Sequence, residues 1–289
     1  MSTDNLLNKI KELREITGVG FKDCKNAIDE TNGDIEKSIE FLRKKGIAKA
    51  NKKMERVAAD GLVCISEKEN NFSMVEINSE TDFVAKNKEF IKFVKELSTL
   101  ALSNSGNLEN ILKSQMSNSK NVKDSLVDLI SKIGEKITFR RCDFMESNNF
   151  INFSYVHSAL EKNIGKIGVL LSLKTTKKKE EVLEIGKHLA MHIAASSPLA
   201  IEKDGLDQNT LNKEKEIILE ELKNTGKDPK IVEKIALGKL NKFIDQNTLL
   251  NQEWIMEPKK KVKDVLKEIA GKDKIEIKKF TRFKVGEGV

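Results

Sequence analysis

The chain has 289 residues, of which 38% are apolar and 34% are charged, so it has enough apolar residues for a packed core and is not a wholly disordered protein. At roughly 150 residues per domain, this length predicts about two domains. Every apolar run is shorter than the roughly 18 residues that cross a bilayer, and the charged N-terminus lacks the apolar stretch of a signal peptide. We therefore expect a cytoplasmic protein with no membrane partner.

The net charge of +7 comes from 52 basic and 45 acidic residues, and an excess of basic residues is one mark of nucleic-acid-binding proteins. However, only six of the basic residues are arginine, and the chain has one Trp and one Tyr. Arginine forks and stacking aromatics are typical of nucleic-acid sites. We therefore favour a solvated lysine surface and expect no direct nucleic-acid partner. The alternative, an RNA-binding protein, would show an affinity that falls steeply with salt.

Residues 1–55 are predicted to form a small helical domain. Leu6, Ile10 and Leu13 lie on one face of a first helix, and a second short helix follows a glycine-rich break. Asp34 is placed to cap a third helix. Three short helices joined in this way resemble a ubiquitin-associated-type fold. Residues 44–53 are interpreted as a basic, helix-prone linker.

Residues 56–145 and 146–289 are each predicted to combine strands with helices, so the expected fold class is α+β, with two core subdomains. Gly165 and Gly168 are interpreted as turn glycines. The predicted strands are Leu62–Ser66, Phe72–Asn78, Ile137–Phe144, Phe150–His157, Ile164–Leu173 and Ile275–Val285, and the predicted helices are Phe90–Ala101, Val122–Ile133, Val182–Ala195 and Val262–Ala270.

A different pattern occupies residues 208–245 inside the second subdomain. Apolar residues recur there at heptad-like spacing on either side of a break from Thr225 to Pro229. A helix, a sharp turn and a second helix with proline in its first turn predict a protruding antiparallel helical hairpin. Such an arm is too thin to bury much surface, so we expect its use to be reach or partner contact.

No residue pattern predicts catalysis, a cofactor or a metal ion. His188 and His192 have a spacing that can bind zinc, but Leu189 stands where a zinc protease needs its glutamate. We favour packing or contact roles for both histidines, with a zinc-dependent hydrolase as the alternative. The three cysteines are far apart, and the chain contains no phosphate-binding glycine loop and no nucleophile elbow.

One segment, Val75–Ala85, places an aromatic residue in an unusual position. An alternating strand ends in turn-forming and cap-forming residues, and Phe83 follows before the next helix begins. On residue physics alone we favour a Phe83 that folds back onto the core as a hydrophobic staple. The alternative is an apolar wedge that projects from a rigid loop beside the carboxylate of Asp82 and anchors a protein contact.

Several short motifs occur in order over nearly the whole chain, and together they resemble the bacterial elongation factor Ts family. The motifs are Leu13–Gly20, Asp23–Lys25, Asn32–Asp34, Leu42–Gly46, Glu80–Ala85, Ile167–Leu170, His188–Pro198, Met256–Pro258 and Arg282–Gly288. The resemblance implies a guanine-nucleotide exchange factor, not an enzyme, whose partner is the GTPase elongation factor Tu. It also favours the projecting wedge for Phe83.

The resemblance further implies which residues act and how. The factor would bind elongation factor Tu carrying GDP, displace Mg²⁺ and promote GDP release, so that GTP can rebind during translation elongation. The residues implied to dislodge Mg²⁺ are Thr81, Asp82, Phe83 and Val84. The other implied partner contacts are Lys25, His157, Ile255 and Met256. The helical hairpin matches the coiled-coil arm of the family.

Overall fold

The computed structural model of the chain describes residues 3–53, 55–223 and 228–289 and confirms an α+β fold. The helices are α1 (Thr3–Thr17), α2 (Phe21–Glu30), α3 (Ile35–Lys53), α4 (Asp82–Ala85), α5 (Lys88–Ser103), α6 (Leu108–Lys113), α7 (Val122–Ile133), α8 (Leu183–Ser196), α9 (Gln208–Lys223), α10 (Pro229–Asn247) and α11 (Val262–Ala270). The strands are β1 (Asp60–Lys68), β2 (Asn71–Ser79), β3 (Ile137–Met145), β4 (Ile151–His157), β5 (Ile164–Gly165), β6 (Ile167–Thr175) and β7 (Ile275–Lys284).

The strands form two antiparallel sheets that pack face to face. The first sheet has the order β3-β2-β1-β5 and the second has the order β4-β6-β7. Side chains alternate between the faces of a strand. In β2, Met74 therefore joins the layer between the sheets, whereas Val75 and Ile77 pack with α5 and α7. In β6, Leu170 faces the first sheet and Leu171 packs with α8. The result is a helix, sheet, sheet, helix sandwich.

The interpretation of Gly168 as a turn glycine is wrong. This residue lies inside β6, at the contact between the two sheets. A Cβ atom there would lie 2.5 Å from Val63 Cγ1 and 2.6 Å from Met74 Sδ. These distances are too short for any side chain, so a glycine is needed to let the sheets approach. This residue therefore sets the spacing between the two sheets.

The predicted strand from Ile164 to Leu173 is divided between the two sheets. β5 pairs with β1, whereas β6 pairs with β4 from His157↔Ile167 to Ile151↔Leu173. Lys166, between the two pieces, contacts the carboxylate of Asp60 and donates to the Gly61 carbonyl at 2.9 Å. The chain therefore links the sheets at this point.

A buried carboxylate joins the C-terminal segment to the first sheet. A bulge in the β2–β3 pairing places both Arg140 and Arg141 opposite Glu76, and their guanidinium groups lie 3.0 and 2.6 Å from its oxygens. The Gly286 N–H donates to the same carboxylate at 3.0 Å. Burial disfavours the charged form of Glu76, but these hydrogen bonds outweigh burial and hold its pKa below the usual value.

The N-terminal unit consists of α1, α2 and α3 around a small apolar core that includes Ile10, Leu13 and Cys24. The predicted cap is present, because Asp34 Oδ1 accepts the Lys37 N–H at 3.0 Å. Residues 44–53 are helical, as their helix-prone composition predicted, and they continue α3. A Cβ atom at Gly46 would lie 3.1 Å from Ser131 Oγ, so α3 crosses α7 closely there.

The helical hairpin is confirmed as α9 and α10. Pro229 occupies the first turn of α10, and Asp228 caps that helix by accepting the Lys230 N–H at 2.9 Å. Lys239 and Glu221 form an ion pair between the two helices at 2.6 Å. The predicted turn begins at Thr225, in a segment (224–227) that lies outside the described residues.

Candidate functional site

The segment after β2 forms a single helical turn, α4, that presents Phe83 to solvent. The ring of Phe83 is 78% exposed, whereas its neighbours Val84 and Ala85 are 5% and 2% exposed and belong to the core beneath the first sheet. One face of the turn is therefore anchored and the other projects. The staple that residue physics favoured is wrong, because the aromatic side chain points away from the core.

A charged pair flanks the exposed ring. Lys86 Nζ donates to Asp82 Oδ2 at 2.7 Å and lies 6.0 Å from the centre of the Phe83 ring. The hydrogen bond from Lys86 holds the pKa of Asp82 below its usual value. Asp82 is therefore an ionised carboxylate beside an exposed aromatic ring, with one of its oxygens bound to Lys86.

The turn is attached to the loop before β3 through two carboxylates. Glu135 accepts the Thr81 N–H at 3.0 Å and the Thr81 hydroxyl at 2.8 Å. In the opposite direction, Glu80 accepts the Lys136 N–H at 2.6 Å. Arg56 also contacts Glu80, at 3.2 Å. The backbone that leads into Phe83 is thus held by side chains as well as by the sheet.

Lys25 lies on the exposed face of α2, next to a well-packed face of the same helix. Cys24, Ala27 and Ile28 are buried in the core of the three-helix unit, and Lys25 is exposed. Phe21, one turn earlier, is 44% exposed. This helix therefore offers a cation beside an aromatic ring on a rigid support.

His157 is the last residue of β4 and is exposed. Tyr155 lies two residues earlier, on the same face of the strand, and its hydroxyl is 3.1 Å from His157 Nδ1. The contact limits the rotation of the imidazole ring, so β4 presents a polar, oriented side chain at its end.

Ile255 and Met256 lie in the loop between α10 and α11, and their side chains are 38% and 44% exposed. The preceding residue, Trp254, is buried and stacks on His192, with ring centres 5.2 Å apart. The Ile255 N–H donates to His192 Nδ1 at 3.4 Å. Two exposed apolar side chains are thereby held beside a fixed backbone.

His192 is fully buried, and its hydrogen bonds explain how it supports this loop. Its Nε2 lies 3.0 Å from Gln252 Oε1, and its Nδ1 accepts the Ile255 N–H. A neutral imidazole with the proton on Nε2 satisfies both contacts. Burial lowers the pKa of His192, which favours this neutral form. His192 therefore has a packing role, as the sequence interpretation favoured.

The remaining features bear on metal binding, thiol reactivity and membrane insertion. Within the described ranges, no group of three or more His, Cys, Asp or Glu side chains is placed to hold a metal ion. Burial raises the pKa of Cys64 to about 11, so this thiol is protonated and unreactive at neutral pH. None of the helices in the part of the chain that the structure describes is both long and apolar enough to cross a membrane.

The structure gathers Thr81, Asp82, Phe83 and Val84 into one turn and presents the other candidate contacts from three separate segments. Sequence reasoning missed Glu135 and the link from His192 to Ile255. Both links join residues more than 50 positions apart. The turn-forming run before Phe83 shows that a loop begins there, but no local signal indicates which distant side chain holds it.

Comparisons with known proteins agree with these observations. The sequence model of a family described as Elongation factor TS matches residues 80–287. The chain is 41% identical over 286 residues to Elongation factor Ts of Maricaulis maris, with 97% of this chain and 91% of the relative covered. It is 42% identical over 286 residues to Elongation factor Ts of Bartonella quintana, with 97% and 92% covered.

A third relative, Elongation factor Ts of Methylorubrum extorquens, is 42% identical over 283 residues, again with 97% of this chain and 92% of the relative covered. These matches place the chain in the class of translation elongation factors. Within that class, it belongs to the elongation factor Ts family.

Proposed function

We propose that the chain is a guanine-nucleotide exchange factor that binds elongation factor Tu carrying GDP, displaces Mg²⁺ and promotes GDP release. The observation that carries the proposal is the exposed ring of Phe83 on a turn whose neighbouring residues are buried. A large exposed aromatic side chain on a rigid support is typical of an anchor for a protein partner.

The proposed mechanism follows from how a GTPase holds its nucleotide. Backbone N–H groups of the phosphate-binding loop and a Mg²⁺ ion compensate the charge of the phosphates. When Phe83 enters the GTPase domain, it separates groups that hold the ion, and the phosphates lose part of their compensation. GDP then dissociates faster, although no covalent bond of the nucleotide changes.

Each residue of the turn has a distinct part in this mechanism. Phe83 supplies the wedge, and the ionised Asp82 competes for groups or waters near the ion without binding Mg²⁺ itself. Val84 is 5% exposed, so its side chain anchors the turn in the core and its backbone is the part available to a partner. Thr81 fixes the start of the turn through its contacts with Glu135.

The energy required exceeds what one ring supplies. A thousandfold acceleration of GDP release requires a coupling of about 4 kcal/mol between the binding of the factor and the binding of the nucleotide. Burial of the Phe83 ring supplies roughly 2 kcal/mol. The remainder must come from contacts that hold the two proteins together, and we assign it in part to Lys25, His157, Ile255 and Met256, which are all at least partly exposed.

Linkage also explains how the factor is released. The factor binds the nucleotide-free GTPase more tightly than the nucleotide-bound form. When a nucleotide rebinds, the affinity of the factor for the GTPase therefore falls by the same coupling free energy. Rebinding of GTP during translation elongation therefore returns the factor to the free state.

Stopped-flow release of a fluorescent GDP from elongation factor Tu tests the proposal. Addition of the chain should accelerate release, and the effect should rise with its concentration and then saturate. Excess Mg²⁺ should partly oppose the effect, because a higher concentration of the ion favours the Mg²⁺-bound form of the GTPase. A release rate that does not respond to the chain at saturating concentration refutes the proposed function.

A further inference from the structure

The β2–β3 ladder continues beyond its last backbone pair through two side chains. The pairing of the strands ends at Ser79↔Ile137. Glu80 and Thr81 follow β2, and Glu135 and Lys136 precede β3. Glu80 accepts the Lys136 N–H, and Glu135 accepts the Thr81 N–H and hydroxyl. Each carboxylate binds a backbone donor of the opposite segment. We call this reciprocal arrangement of Glu80, Thr81, Glu135 and Lys136 the carboxylate clasp.

The clasp is attached to the Phe83 turn through Thr81, which occupies the cap position of α4. The backbone of Thr81 is extended, with φ −128° and ψ 159°, and its hydroxyl does not cap the turn. The hydroxyl donates to Glu135 instead. Because Glu135 holds both the N–H and the hydroxyl of Thr81, it restrains the backbone and χ1 of the residue two positions before Phe83.

The other end of the turn is restrained by a different means. Val84 and Ala85 are buried in the core, so packing determines their positions. Phe83 therefore lies between a hydrogen-bonded support on its N-terminal side and an apolar support on its C-terminal side. An exposed ring has few contacts of its own, so its direction depends on these two supports.

The Glu80 half of the clasp has a second set of contacts. Arg56 Nη1 lies 3.2 and 3.3 Å from the two oxygens of Glu80, and Lys136 Nζ donates to the Arg56 carbonyl at 2.7 Å. The segment after α3 is thereby joined to the clasp. The Glu135 half is the part that contacts the turn directly, so it is the half to test.

We propose that Glu135 is a positioning residue for the exchange reaction, which acts through Thr81 to hold Phe83 in the direction that enters the GTPase. This inference rests on the proposed function. The physical reason is geometric: the ring contributes to exchange only when it points in the direction that enters the GTPase, so a loss of its support removes part of the effect of the ring.

The variant Glu135→Ala tests the role in the full chain. We expect the maximal rate of GDP release to fall about ten-fold, less than after removal of the ring itself, while the concentration of the chain that gives half the maximal effect changes little, because the other contacts are intact. Glu135→Gln should restore most of the rate, since an amide can still accept the Thr81 N–H and donate to its hydroxyl.

The chain offers a matched control in Glu96→Ala. Glu96 binds the N–H and the hydroxyl of Ser117, the latter at 3.0 Å, in the same two-contact arrangement. The loop of Ser117 carries none of the candidate contact residues. Loss of this carboxylate should have a comparable effect on folding stability and no effect on the exchange rate.

A double-mutant cycle with Phe83→Ala identifies the path of the effect. If Glu135 acts through Phe83, Glu135→Ala should cause no further loss of rate in the Phe83→Ala background. Losses that multiply in the double variant overturn the proposal, because they show that Glu135 acts by another route.

Amide hydrogen exchange in the free chain tests the clasp without any partner. In Glu135→Ala, the Thr81 N–H should exchange roughly ten-fold faster, since it loses its acceptor, and the amides within β2 should be unchanged. A Thr81 amide that is equally protected in both proteins refutes the clasp.

If the unmodified chain leaves GDP release unchanged, the proposed function fails. If the unmodified chain is active and Glu135→Ala matches Glu96→Ala, only the positioning role fails.

Discussion

The Phe83 turn and the loop of Ile255 and Met256 both expose apolar side chains on a fixed backbone, but they are supported in different ways. Carboxylate side chains that accept backbone N–H groups hold the first, through Glu135 and Glu80. A neutral, buried imidazole holds the second, through His192. The comparison shows that a protein can fix an exposed apolar side chain either with carboxylates that accept N–H groups beside it or with a hydrogen-bonded imidazole in the core. Because burial lowers the pKa of His192, the second support should weaken in acid.

The largest effect is expected when the aromatic ring of the Phe83 turn is removed. Under the proposed function, Phe83→Ala should lower the rate of GDP release by about thirty-fold, which corresponds to the roughly 2 kcal/mol of a buried phenyl ring. The thermal unfolding midpoint should change little, because the ring is 78% exposed in the free chain. Stopped-flow fluorescence and calorimetry measure the two quantities.

Leu108→Ala is the control for that variant, since Leu108 is 50% exposed on α6 and is not a candidate contact. It should leave the exchange rate unchanged. An equal loss of rate in the two variants would show that exposed apolar area in general, and not this turn, determines the rate.

The stability that His192 gives to the second region should depend on pH. The pKa of His192 is lowered on folding from its ordinary value of 6.5, so the unfolded chain binds more protons than the folded chain as the pH falls through that range. The contribution of the neutral imidazole to the free energy of unfolding is thus present above about pH 6.5 and lost as the pH falls toward the folded-state pKa.

His192→Phe removes this titration but keeps a ring to stack on Trp254. At pH 7.5 we expect it to be about 1–3 kcal/mol less stable than the unmodified chain, because Gln252 Oε1 loses its buried partner. At pH 5 the difference should be smaller. Urea unfolding at both pH values measures it, with His188→Gln on the same helix as a control that should retain the acid-induced loss. A difference that does not change with pH would show that the imidazole does not titrate as a buried group.

The smallest expected effect concerns Lys25, whose proposed contact depends on charge and so sharpens the contrast with both apolar regions. Under the proposed function, Lys25→Ala should weaken binding to the nucleotide-free GTPase by about two- to five-fold, the range of an exposed ion pair, with little effect on maximal exchange. Calorimetric titration at low and high salt measures the affinity. A loss of affinity that is the same at both salt concentrations would contradict an electrostatic role.

Elements with strong local signals could be predicted from the sequence. The helix predicted at Val262–Ala270 has the same bounds in the structure, since its apolar residues recur at helical spacing and Gly271 follows its last residue. The β1–β2 hairpin and the helical arm also follow from local patterns. By contrast, the short helix α6 was not predicted, because its six residues are too few to show a period.

Errors arose where distant packing overrides local composition. The interpretation of residues 44–53 as a helix-prone linker did not include their packing, because this end of α3 crosses α7 closely where Gly46 meets Ser131. Gly168 resembles a turn residue, yet it lies inside a strand because Val63 and Met74 of the other sheet leave no room for a Cβ atom. In both cases the reason is a contact more than 80 positions away in the sequence.

For the candidate site, motifs in the sequence identified Thr81, Asp82, Phe83 and Val84, but residue physics alone placed Phe83 in the core. A phenylalanine beside a helix start is compatible with either direction, because the local sequence does not determine whether the core has room for the ring. In the folded chain, Val84 and Ala85 occupy the core positions of the turn, and Phe83 is left outside.

The sequence by itself determined the α+β class, the order of most helices and strands and membership of the elongation factor Ts family, because these depend on periodicity, caps and motifs within short segments. Only the tertiary structure decided that Phe83 projects and that Glu135 and His192 hold the two exposed segments. The physical reason is that the direction of a side chain and the partner of a hydrogen bond depend on which segments meet in space.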